Sequence, residues 1–195
     1  MKALSAADDR TLSLWQWRSL VVGIVALVGP IVAAPASPAQ FFRAYLSAYL
    51  FWLGLTLGSM GLVMIYHLTG GAWGFLIRRV LEAGMRTLPL MALAFLPIAF
   101  GIGELYLWAR PEIVAGDEAL QNLQGYLNPT FFWIRSAAYL VTWCLLSYLV
   151  GSASRRQDRS RSQRLTPWVR TLSGFGLVAY GLGMNFASVD WVMSL

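Results

Sequence analysis

Long apolar runs, separated by short arginine-rich segments, constrain this chain more than any other feature. Five runs stand out, over residues 20–34, 41–68, 88–109, 130–153 and 169–195. A helix needs ~20 apolar residues to cross a hydrocarbon core of about 30 Å. The last four runs reach that length. The first is short unless Trp15 and Trp17 sit at the interface and lengthen it. The expected fold class is therefore all-α: a polytopic transmembrane helix bundle with about five spans, residues 1–195 forming a single transmembrane domain.

Charge content points the same way. Only 12% of the residues are charged and 57% are hydrophobic, where a soluble domain averages about 25% charged. The net charge of +6 sets 14 arginines and Lys2 against 9 acidic residues. The basic residues fall in patches between apolar runs rather than on the basic face that nucleic-acid binding wants, so no nucleic-acid partner is expected. A single Cys144 and a single His67 leave no disulfide framework, no bis-His haem and no iron–sulfur ligand set. Any electrons handled here ride on an organic carrier or on another subunit's cofactors.

The first run has a rival reading. VAAPASPAQ resembles a signal-peptide cleavage region. The preceding MKALSAADDRTLSLWQWR is long for the charged leader of a signal peptide and carries Asp8 and Asp9. A retained anchor is the expectation.

Orientation follows from loop charge. Lys2, Arg10, Arg18, Arg78, Arg79, Arg86, Arg155, Arg156, Arg159, Arg161, Arg164 and Arg170 fall on one face, and Arg43, Arg110 and Arg135 on the other. The positive-inside rule then puts the N-terminus in the cytoplasm. Residues 154–166 become a basic cytoplasmic loop. Residues 69–86 become a cytoplasmic interfacial helix, broken from the second span at Gly70 and Gly71. In it Arg78, Glu82 and Arg86 share a face at i, i+4 spacing, and Ile77 and Val80 belong to an apolar stripe.

Several residues are candidates for chemistry. Glu104, in AFGIGELYLWA, lies 17 residues after Thr87, about 26 Å along a helix. Asp190, in FASVDWVMSL, lies 21 residues after Val169, about 32 Å along its own. Arg135 and Arg43 begin the fourth and second spans on the same outer side. Charges within spans are costly, so they pair or line a wet cavity. An outer pocket where Glu104 or Asp190 accepts protons stands beside a plainer reading, interfacial snorkelling with incidental ion pairs. His67, at the cytoplasmic end of the second span, either relays protons or is a helix-end cation meeting the C-terminal dipole. Gly54 and Gly58 make a GxxxG packing face. Pro97 is expected to kink the third span beside Glu104.

FWLGLTLGSMGLVMIYHLTGGAWGFLIRRVLEAGMRTLPLMALAFLP, then LYLWA, then FASVDWVMSL, resemble the second quinone-binding-type membrane subunit of alternative complex III. That complex is a bacterial quinol:cytochrome c oxidoreductase, and the subunit is of the polysulfide reductase/nitrite reductase D-type superfamily. The resemblance covers most of residues 41–195. It implies a protein of roughly ten helices that continues past DWVMSL, so the sequence reads as the N-terminal part of such a subunit.

It also implies quinone or quinol as substrate, with Glu104, Asp190, Arg135 and His67 as quinone or proton-pathway candidates. No haem or iron–sulfur cluster is expected on this chain. The implied partners are lipid and the other membrane and periplasmic subunits of a respiratory complex in the bacterial inner membrane. The function would be quinol oxidation, proton translocation, or both. A scaffold subunit without its own quinone site, or a transporter-like protein, are the alternatives.

Overall fold

A computed structural model describes residues 13–23, 25, 37–70, 77–160 and 166–195. The chain forms two compact units, Met1–Ala44 and Tyr45–Leu195. In the first, residues 13–23 are helical, with Trp15, Trp17 and Leu20 exposed. The run expected over 20–34 lies largely outside the described residues, as do Lys2, Asp8, Asp9, Arg10, Arg161 and Arg164. Arg43 belongs to this first unit.

The described residues are overwhelmingly helical and include no strand. Four helices are long and apolar enough to cross a membrane: α1 (Pro38–Thr69), α2 (Arg78–Phe100), α3 (Pro129–Ser160) and α4 (Thr166–Ser188). This is the architecture of a multi-pass membrane protein. Pro38 and Pro129 open α1 and α3 at the position where a missing N–H costs nothing. Gly70 stops α1: its φ of +67° is the left-handed conformation that suits glycine, and its N–H reaches back to Tyr66 O at 2.8 Å.

The third span begins earlier than its hydropathy indicates. Residues 78–85, expected as a separate interfacial helix, run through a tight turn at Arg86–Thr87 into Leu88–Ala94 and Leu96–Phe100. Two prolines punctuate this helix, and a neighbouring helix repairs the first site. Pro89 offers no N–H to the carbonyl of Met85; the Ser147 hydroxyl donates to that carbonyl instead, at 2.8 Å. One turn before Pro97, whose missing N–H frees the carbonyl of Leu93, the Tyr45 hydroxyl donates to the adjacent Ala94 O at 2.8 Å. The expected break beside Pro97 is present at Phe95, and a further one falls at Gly101. Beyond it come only short turns, Ile102–Leu105 and the 3-10 turn Leu107–Ala109, with Tyr106 extended between them. The span expected over 88–109 therefore ends as a helix at Phe100.

Close approaches fix the packing of α1–α4. A Cβ at Gly183 would lie 3.0 Å from Trp143 Nε1, and one at Gly84 2.7 Å from Ser59 Oγ. Trp191 fills the space between the helices at one end of the bundle. Its ring lies 4.8 Å from Phe95 and about 6 Å from Tyr49, Tyr139 and Trp143. The expected GxxxG face, by contrast, meets nothing among the described residues: added Cβ atoms at Gly54 and Gly58 have no neighbour there within 4 Å.

The two faces make opposite predictions. Gly183→Ala presses a methyl against a rigid, buried indole and should destabilise the bundle by about 1–3 kcal/mol. Gly54→Ala fills open space and removes helix-interior glycine, so it should be neutral or stabilising by roughly 0.5–1 kcal/mol. Thermal unfolding in one detergent, followed by Trp fluorescence, separates them. Equal midpoints for the two variants would contradict this packing.

Candidate functional site

The sequence brings Asp190 to the last turn before Met193, where α4 widens into a π-helical turn, Val189–Met193. An i→i+5 turn shifts the register of the side chains that follow, and such turns recur at functional sites. Asp190 and Trp191, neighbours in the chain, are both buried here. On α3, Arg135, Ser136, Tyr139 and Trp143 share the face that receives them, at helical spacing.

Asp190 is completely buried, at 0% exposure. Its Oδ2 accepts from Arg135 Nε at 2.9 Å and from the Tyr139 hydroxyl at 2.9 Å. Arg135 in turn donates from Nη1 to Tyr126 O at 3.0 Å, with its guanidinium 3.9 Å from the centre of the Tyr126 ring. Asp190 Oδ1 and Arg135 Nη2 are buried and make no hydrogen bond among the described residues. The site thus holds one compensated ion pair, with an acceptor and a donor still open. Such an arrangement can take a water, a hydroxyl or a carbonyl between them, and the carboxylate can accept a proton from it.

A lid of hydrogen bonds covers the pair. Trp191 Nε1 donates to Ser136 Oγ at 2.9 Å. The Tyr106 hydroxyl donates to Trp191 O at 3.0 Å, and Trp108 Nε1 to Ser194 O at 3.1 Å. Burial, and then the nearby Asp190 charge, push the Tyr106 phenol well above its usual range. It stays protonated and keeps its role as donor.

The sequence candidates therefore separate. Arg135 and Asp190 meet. Glu104 does not join them: its side chain is 48% exposed and pairs with Arg110 at 3.5 Å. The reason is the break at Gly101, which ends the continuous helix on which its depth and direction had been counted. His67 lies in the last turn of α1, its ring 5.6 Å from that of Tyr66, and Arg78 lies 6.0 Å from the Tyr66 ring. That is the end of the bundle opposite Asp190, because α1, α2, α3 and α4 alternate in direction.

Sequence reasoning missed a second buried carboxylate at that opposite end. Glu82 accepts from Ser154 Oγ at 2.5 Å, with Arg78 Nε at 3.0 Å and Arg86 Nη2 at 3.8 Å. The i, i+4 pairs of a surface helix were legible. That they face inward, towards α3, was not; a serine-rich stretch, GSAS at 151–154, was the available signal. Among the described residues no three His, Cys, Asp or Glu side chains converge as a metal site. No protein-family model and no curated protein matches the chain.

Removing Arg135 strands a buried carboxylate. Arg135→Gln should cost about 3–5 kcal/mol of stability, and Tyr139→Phe about 1.5–3 kcal/mol, the value of a hydrogen bond to a charged group. Pairing Arg135→Gln with Asp190→Asn should recover most of the first loss. Glu104→Gln, at an exposed pair, should stay within about 1 kcal/mol. Unfolding midpoints of the four variants test this order. An Arg135→Gln protein as stable as wild type would mean that Asp190 is not buried as a charge.

Proposed function

We propose that this chain is a membrane subunit of a quinol:cytochrome c oxidoreductase of the alternative complex III type, and that it serves quinol oxidation or the proton movement coupled to it. The observation that carries the reading is the buried Asp190, held by Arg135 and Tyr139 with Oδ1 left open, inside the FASVDWVMSL block on which the resemblance partly rests. Quinol oxidation releases protons as well as electrons. A carboxylate with one oxygen pinned and one open is suited to take up such a proton without losing its position. The electrons would leave through haem and iron–sulfur subunits, since this sequence supplies one Cys and one His. Quinol is then substrate, and the other subunits of the complex are the partners.

The chain sits in the bacterial inner membrane with its arginine-rich end in the cytoplasm and the Asp190 end towards the periplasm. His67 lies at the cytoplasmic end in this orientation, where it acts on the helix terminus rather than on quinol. A scaffold role without a quinone site is the second reading. The hydrogen bonds from Tyr106, Trp108 and Ser136 around Trp191 and Ser194 favour it, because they make the same region a structural lock.

Asp190→Asn in the assembled complex keeps the shape and removes the base. Turnover, or proton release per quinol oxidised, should fall at least tenfold while assembly persists. Assembly with unchanged turnover and proton stoichiometry supports the scaffold. Orientation is checked separately with an impermeant maleimide on intact spheroplasts: Gly116→Cys should label and Gln163→Cys should not. The reverse pattern inverts the topology and places Asp190 on the cytoplasmic side.

A further inference from the structure

One outward stripe of α2 has the layout of an amphiphile. Arg79, Ala83 and Arg86, then Leu90 and Leu93 beyond the turn at Arg86–Thr87, then Phe100 beyond the break at Phe95, are all exposed along the span. The stripe is cationic over its first two turns and wholly apolar afterwards. Arg79 makes no hydrogen bond or ion pair among the described residues. Arg86 has only the 3.8 Å contact to Glu82, and its side chain is 51% exposed. Glu82 divides its charge, with Arg78 and Ser154 on its other oxygen.

Arg86 lies eight residues into the span that starts at Arg78, about 12 Å along the helix. An outward guanidinium at that depth cannot be left among acyl chains. Helical side chains lean towards the N-terminus, so Arg86 reaches back towards Arg79 and the edge of the bundle. Among the described side chains, Glu82 is the acid that approaches it, at 3.8 Å. Arg155, Arg156 and Arg170 end α3 and begin α4 at the same end, and Glu82 is the one carboxylate among the described side chains there. A counter-charge at headgroup depth, attached to something apolar enough to follow Leu90, Leu93 and Phe100 inward, would complement this stripe.

We infer that this stripe binds an anionic phospholipid. Its phosphate lies between the Arg79 and Arg86 guanidiniums, which match phosphate oxygens in pairs, and an acyl chain runs along Leu90, Leu93 and Phe100. From Arg86 to Phe100 is 14 residues, about 21 Å, enough to cover the ~15 Å of one leaflet's hydrocarbon. A free anion would satisfy the arginines but leave the apolar half of the stripe unexplained. The inference does not depend on the redox reading of the Asp190 site.

The test is native mass spectrometry of the full chain in mild detergent, titrated with phosphatidylglycerol or phosphatidylcholine. Phosphatidylglycerol should be retained preferentially. Each of Arg79→Gln and Arg86→Gln should weaken its retention about fivefold, from roughly 1 kcal/mol per basic residue at a membrane surface. Arg86→Lys should retain most of it, and Arg110→Gln, at the opposite end, should change nothing. Both arginines are exposed, so circular dichroism should show the variants folded as wild type.

Equal retention of the two lipids, or undiminished phosphatidylglycerol binding in the Arg79→Gln/Arg86→Gln protein, overturns the proposal. So does displacement of phosphatidylglycerol by glycerol 3-phosphate at matched concentration, which would make this a free-anion site. A benzoylphenylalanine placed at Leu90 should crosslink to lipid in native membranes. A crosslink to another polypeptide there would mean that a protein covers the stripe instead.

Discussion

A carboxylate withdrawn from water has to be met by a cation and by donors, and the meeting of Asp190 with Arg135 organises one end of this bundle. Arg135 stands less than two turns inside α3, and Asp190 lies in the π turn that closes α4. Joining them, at 2.9 Å, sets the register of the two helices at that end. The aromatic packing follows from it, because Trp191 is the next residue and is carried into the space between Tyr49, Phe95 and Trp143. The other end repeats the device with Glu82, Arg78 and Ser154 joining α2 to α3. Each end of the bundle is therefore tied by a buried acid held by an arginine and a hydroxyl.

Between those ends the apolar interior imposes a second requirement, that every freed backbone group find a partner. Pro89 and Pro97 each remove a donor from α2. The Ser147 hydroxyl arrives from α3 at the carbonyl of Met85 that Pro89 frees, and the Tyr45 hydroxyl arrives from α1 at Ala94 O, beside the break before Pro97. The same contacts hold α2 between α1 and α3. The bends in α2 and its packing are thus one feature, and Glu104 falls beyond them on a chain that is no longer a continuous helix. Its exposure and its pairing with Arg110 follow directly.

The candidate site was half legible before any coordinates. Asp190 and Arg135 stood out because ionisable residues inside apolar runs are expensive and have to be compensated. Their pairing was one possibility among several, since Arg43, Glu104 and His67 carried the same signal. Tyr139, Ser136 and Tyr106 gave none. A tyrosine or serine in an apolar run is ordinary, and only its distance from a buried carboxylate or carbonyl makes it part of a site. Glu82 was misjudged for a related reason: its spacing from Arg78 and Arg86 describes a solvated helix face as well as a buried one.

By itself the amino-acid sequence determined the fold class and the limits on chemistry. Apolar runs of spanning length can be satisfied as helices, and a single Cys and a single His restrict what this chain can ligate. The Gly70 stop and the break beside Pro97 were fixed equally locally, by a left-handed φ and a missing donor. Tertiary structure alone decided which charges met. The start of α2 at Arg78, the inward turn of Glu82, the outward turn of Glu104 and the burial of Asp190 all depend on helix register and neighbouring helices. Register near a proline, a glycine or a π turn is set by which distant hydroxyl or guanidinium reaches the freed or buried group. That is a property of packing, and no local stretch of sequence contains it.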